Sequence, residues 1–121
     1  MPRERYAPKP FLTLAAEPFE SVEEAWFWSV QCLQARREGA RVGAGRGETL
    51  RPCDPDDVVA AIYRLYRQRR LNQLHLGVLA EYGKRLLPPD ERRAHEGKAA
   101  TLWHEAIERL TGTLRAKGIV R

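Results

Sequence analysis

Apolar residues recur at the helical interval in four stretches of the chain, and two further stretches show no interval at all. With residues 22–38 placed at about 100° per residue, Val22, Ala25, Trp26, Val30, Cys32 and Leu33 form one broad apolar sector. Trp28 lies at the edge of that sector, beside Ala35. Phe27 falls among Glu23, Glu24, Gln31, Gln34 and Glu38, an aromatic on the polar side. The spacing predicts a helix over about 21–38. Ser21 and Glu24 have the S-x-x-E form of a capping box, Arg36 and Arg37 suit the negative end of the dipole, and Gly39 suits the position just past the end.

A second helix is predicted over 54–70. Asp54 is placed to cap it, Pro55 suits the first helical position, and Asp56 and Asp57 favour the positive end of the dipole. Val58, Ile62, Leu65 and Tyr66 share one face, flanked by Val59 and Ala61. A third helix is predicted over 72–82, with Asn72 as N-cap, Leu71 stapled to Leu76, and Gly83 as its stop. Leu74, Val78 and Tyr82 make its stripe, broadened by Leu76 and Leu79. After the break at "KRLLPP", Asp90 is placed to cap a segment that becomes a fourth helix, over 91–117. Leu102, Trp103, Ala106, Ile107, Leu110 and Leu114 face inward there, and Gly118 ends it. Interior Gly97 and Gly112 are expected to fray or bend that helix at about 1 kcal/mol each relative to Ala.

The aperiodic stretches are residues 1–20 and 39–53. The first holds four of the eight prolines and reads as an arm, with "FLTL" as an extended piece against the body. The second holds four glycines and three arginines and reads as a mobile loop. Its "GAGRGE" is neither a Walker A loop, since no Gly-Lys-Ser/Thr follows, nor a dinucleotide fingerprint, since no apolar strand precedes it. There is no internal repeat and no convincing strand. The expected organisation is therefore an arm over 1–20 and a single all-helical domain over 21–121. Its fold class is all-α, a four-helix orthogonal or bundle-like domain with a Gly/Arg-rich loop.

Composition adds charge. The 121 residues include 21 Lys and Arg against 16 Asp and Glu, a formal net charge of +5, and the pI is near 9.6. This favours an acidic partner such as nucleic acid. Seventeen of the basic residues are Arg, the better fork for phosphate. An Arg-, Ala-, Gly- and Pro-rich chain also follows from the codon bias of a GC-rich genome. No apolar run approaches the roughly 20 residues of a membrane span, and Pro8, Lys9, Pro10 and Glu17 interrupt any signal-peptide core. A cytoplasmic protein is expected, without membrane attachment and with Cys32 and Cys53 reduced.

Residues apt for catalysis are sparse. His95-Glu96 and His104-Glu105 recur nine positions apart, too far to share one metal on one helix face, and His75, His95 and His104 read as surface histidines. Helix capping already accounts for Asp54, Asp56 and Asp57. No nucleophile stands beside a base in any recognisable order. No enzyme, cofactor, metal or small-molecule substrate is expected.

The basic clusters are the functional lead. Arg64, Arg67, Arg69 and Arg70 crowd the end of the second helix, Arg41 and Arg46 lie in the loop with Arg51, and Lys84, Arg85, Arg92 and Arg93 flank the last connection. Gathered on one side, they would contact phosphates in a salt-dependent manner. Cations also suit helix C-termini, and Arg stems cover apolar surface. A helix-turn-helix match is loose: the third helix offers few polar readers beyond Asn72, Gln73, His75 and Glu81, and the last connection is long. The alternative expectation is a protein-interaction adaptor or homodimer, with Phe27 and Trp28 as an exposed hydrophobic anchor.

The segments "EEAWFW", "RPCDPDD", "LYRQRRLNQLHLGVLAEYG", "PPDERR" and "LWHEAIERL", with the closing "LRAKGIV", resemble a type of small conserved bacterial protein of unknown function over about residues 21–120. The resemblance implies a bacterial, cytoplasmic, helical protein and carries no catalytic residues. The helices ending in "LWHEAIERLTGTLRAKGIV" are also similar in general pattern to sigma-like and phage regulatory helix-turn-helix proteins. That likeness implies a nucleic-acid-associated, transcription-regulatory role.

Overall fold

A computed structural model of the chain describes residues 16–39 and 49–121. The fold is all-α. Helix α1 spans Val22–Arg37, α2 Pro55–Arg67, α3 Gln73–Arg85 and α4 Gly97–Ala116. A single 3-10 turn over Ala94–Glu96 leads into α4. Among the described residues, extended pairing is limited to the isolated parallel bridges Ala16–Leu50 and Phe19–Val120.

Capping fixes the starts. The Ser21 hydroxyl accepts the Glu24 N–H at 3.1 Å, and Glu24 reaches back to the N–H of Glu20 at 2.8 Å. Asp57 accepts the N–H of Asp54 at 2.8 Å, locking the first turn of α2 behind Pro55.

The helix ends share one device. Gly39, Arg69, Leu86 and Gly118, just past α1, α2, α3 and α4, have φ of 82°, 64°, 55° and 76°. At α2, the Arg69 N–H donates to Tyr66 and the Arg70 N–H to Leu65; α3 and α4 repeat the pattern through Leu86–Leu87 and Gly118–Ile119. Glycine adopts this left-handed backbone freely, whereas Arg69 and Leu86 are each strained by about 1 kcal/mol.

Helices α1 and α4 each pack against every other helix, while α2 and α3 lean on that central pair more than on one another. The core joins Val22 and Ala25 of α1, Val58, Ala61, Ile62 and Leu65 of α2, Leu79 and Tyr82 of α3, and Trp103, Ala106, Leu110 and Leu114 of α4. Trp103 is its centre. No part of that residue reaches solvent, its ring stacks on Phe27 at 5.7 Å and meets Tyr82 edge-on at 6.4 Å, and its Nε1 donates to Glu23 at 2.6 Å.

Several sequence expectations need correction. Gly83 does not end the third helix, which runs on to Arg85. A Cβ at Gly83 would stand 2.9 Å from Trp26 Nε1, so glycine there permits α1 and α3 to approach closely. The Trp26 Nε1 donates across that contact to the Leu79 carbonyl at 3.0 Å. Asp90 caps no helix. It accepts the Arg92 N–H at 2.9 Å in a local turn, and the buried Glu96 reaches back to the Asp90 N–H at 2.7 Å, so α4 begins only at Gly97. Gly112 lies within an uninterrupted α4.

The arm also differs at its end. Phe19, expected outside the domain, is 1% exposed and belongs to the core. Its N–H donates to Ile119 and its carbonyl accepts the Arg121 N–H. "FLTL" and residues 40–48 of the Gly/Arg loop lie outside the described residues.

Candidate nucleic-acid interface

The ten basic positions expected to contact phosphates fall into groups with different surroundings. Arg41 and Arg46 lie outside the described residues. Lys84 and Arg85 end α3, whereas Arg64, Arg67, Arg69 and Arg70 stand near its beginning, so about 16 Å of helix axis intervenes.

Local partners divide the set further. Arg85 pairs with Glu81 at 2.6 Å and lies 4.8 Å from the centre of the Tyr82 ring. The Glu81 hydrogen bond holds its guanidinium above the ordinary arginine range. Arg92 bonds Asp90 at 3.2 Å and Arg93 lies 3.9 Å from the same carboxylate. The Arg92 backbone N–H, and then its guanidinium, hold Asp90 below the usual carboxylate range. Outside the expected set, Arg36 meets Asp56 at 3.0 Å and Arg121 meets Glu20 at 2.8 Å. Arg51 is structural: it covers the Phe19 ring at 4.2 Å and donates to the carbonyl of Glu17 at 3.2 Å.

Arg64, Arg67, Arg69 and Arg70 differ. All four are exposed, and among the described residues none of their guanidinium groups has a carboxylate partner. The turn between α2 and α3 opens into a groove of about 730 Å³, lined by Tyr66, Arg67, Arg69, Leu71, Asn72, Gln73 and Leu74. Leu71 is buried, whereas Leu74 is 66% exposed. A smaller hollow of about 400 Å³ lies beyond the far end of α3, where Arg85, Arg93 and Asp90 are engaged with one another or with Glu81.

The groove is braced by a histidine that the sequence reading placed on the surface. His75 is 3% exposed. Its backbone N–H donates to Asn72 Oδ1 and its Nδ1 accepts the Asn72 N–H, both at 3.0 Å, forming a reciprocal cap at the start of α3. A ring accepting at Nδ1 carries its proton on Nε2, and that N–H donates to Glu105 of α4 at 2.8 Å. Arg109 donates to the Arg70 carbonyl at 3.2 Å. Its guanidinium lies 3.4 Å from His75 Nε2, close to the Glu105 charge. The hydrogen bond from His75 comes first, and Arg109 second, in holding the Glu105 carboxyl below the ordinary range. A sequence signal for this did exist: Asn72 and His75 stand at N-cap and N3, where a reciprocal cap forms.

The aromatics expected as an anchor turn out to have partners inside the molecule. Phe27 is half-buried against Trp103, and Trp28 packs on Phe19 at 5.1 Å. The exposed-anchor expectation is corrected on that ground. On the side drawn as polar, Glu23 and Phe27 are partly covered, while Glu24, Gln31, Gln34 and Glu38 stay exposed.

Among the described residues, no three His, Cys, Asp or Glu side chains converge as a metal site, and no helix is long and apolar enough to cross a membrane. Burial, with Asp57 and Asp54 nearby, pushes the Cys53 thiol up to about 11. Comparisons with protein-family models, curated proteins and solved structures found no match to this chain.

Proposed function

We propose that this chain is a non-enzymatic nucleic-acid-associated protein that holds phosphates at the corner between α2 and α3. One observation carries the reading: Arg64, Arg67, Arg69 and Arg70 crowd one corner with no carboxylate partner among the described residues, while Arg36, Arg51, Arg85, Arg92, Arg93 and Arg121 are each matched to one. Four guanidinium groups within seven positions raise the local positive potential and recruit a polyanion. Arg85, Arg92 and Arg93 would have to exchange a carboxylate for a phosphate, so they serve as secondary contacts. Binding without catalysis accords with a His75 engaged at both ring nitrogens and with a Cys53 thiol that stays protonated. A transcription-regulatory role in the cytoplasm is the finer form of the same reading.

The experiment is a fluorescence titration of labelled oligonucleotides at two salt concentrations. The affinity is expected to fall with salt at a log–log slope of roughly −3, for about four phosphates neutralised. Arg64→Ala and Arg67→Ala each reduce that slope by about one. Absence of binding to duplex and single strands at low salt rejects the reading.

A further inference from the structure

Phosphate contact does not by itself account for the apolar walls of the corner groove, and we infer that the groove receives an unpaired base, so that the bound polymer is single-stranded. This rests on the polyanion reading above. The groove's apolar lining comes from the buried Leu71, the half-buried Tyr66 and the exposed Leu74. Arg67, Arg69 and Gln73 supply the polar rim. A nucleobase has a flat apolar face and a hydrogen-bonding edge. Its face fits against Tyr66 and Leu74, its edge meets the Gln73 amide, and its flanking phosphates meet Arg67 and Arg69. The bases of a duplex are stacked inside the phosphate lines and would leave the groove empty.

The backbone at Arg69 adds a second, independent observation. The same left-handed exit carries glycine after α1 and α4, where Gly39 and Gly118 have φ of 82° and 76°, but arginine after α2, at 64°, and leucine after α3, at 55°. Glycine would relax this position. The Arg69 side chain makes no hydrogen bond or ion pair within the described structure, so the fold draws nothing polar from it. It does line the groove. The walls are also fixed before any ligand arrives, through the bond from Arg109 to the Arg70 carbonyl and the His75 cap on Asn72. Such preorganisation lowers the ordering that binding requires.

The test uses fluorescence anisotropy with a labelled oligothymidylate and a duplex of equal length, on wild type, Tyr66→Leu, Leu74→Gln and Arg69→Gly, each also followed by thermal melting. Wild type is expected to bind the single strand about tenfold more tightly than the duplex. Tyr66→Leu lowers single-strand affinity about tenfold and leaves duplex affinity unchanged. Leu74→Gln alters an exposed side chain, and weakens single-strand binding with no change in melting even if Tyr66→Leu fails to fold. Arg69→Gly raises the melting temperature and weakens binding. No binding to either probe defeats the polyanion reading itself. Equal binding to both, insensitive to Tyr66→Leu and Leu74→Gln, keeps that reading and overturns the unpaired base. An Arg69→Gly protein that melts higher and binds like wild type removes Arg69 from the site.

Discussion

His75 of α3 and Glu105 of α4 are joined by a 2.8 Å hydrogen bond from Nε2 to Oε1, and the same imidazole caps its own helix through Nδ1. One ring thus ties the start of α3 to the middle of α4. Because Glu105 is held below its ordinary pKa of 4.5, the pair stabilises the folded state above that pH. The contribution is lost as the pH falls through the lower, folded-state value. Urea titrations between about pH 5 and pH 3 should show a shallower loss of stability in Glu105→Gln than in wild type. An unchanged slope would mean that the pair adds nothing to folding.

Gly83 and Gly77 lie on the same helix and should respond oppositely to alanine. A Cβ at Gly83 meets the Trp26 indole at 2.9 Å, whereas one at Gly77 meets nothing within 4 Å. Gly83→Ala forces the indole away from the Leu79 carbonyl, and should destabilise by about 1 kcal/mol after the helix-propensity gain is subtracted. Gly77→Ala should stabilise by about 0.5–1 kcal/mol. Denaturant melts measure both, and Trp fluorescence reports the indole's displacement.

Phe27→Ala distinguishes core from anchor. With its ring stacked 5.7 Å from that of Trp103, the substitution should cost roughly 2 kcal/mol, less than the 3–5 kcal/mol typical of a fully buried ring. Light scattering should find the mass unchanged. A change in mass with unaltered stability would restore the anchor.

The Cys53 thiol, pushed up to about 11, is a poor nucleophile near neutrality. Alkylation by iodoacetamide at pH 8, followed by mass spectrometry, should be slow in the native protein and fast in urea. Equal rates in the two conditions would show that burial does not protect it.

The starts of α1, α2 and α3 were legible because capping chemistry is local, whereas Asp90 caps a turn and α4 starts later, at Gly97. Ser21 with Glu24, and Asp54 with Pro55 and Asp57, sit within one turn of what they satisfy. The stops were less so, because a left-handed exit can be taken by Arg69 or Leu86 at modest strain, and because Gly83 serves a neighbour rather than its own chain end. A helical wheel assumes one covered side, which misplaced Phe27. It also left His75 outside, since the bond to Glu105 spans 30 positions that no local pattern connects. The Arg64–Arg70 cluster was visible as a run of letters, yet its distinction from Arg85 and Arg92 depends on where Glu81 and Asp90 stand in space.

Because α1 has neighbours on several sides, its amide protons have no private route to solvent. Peeling it away would uncover α2, α3 and α4 together, so the backbone from Ala25 to Cys32 should exchange deuterium only when the entire body opens. The first helix is then expected to exchange as slowly as α4, which shares its position against every other helix.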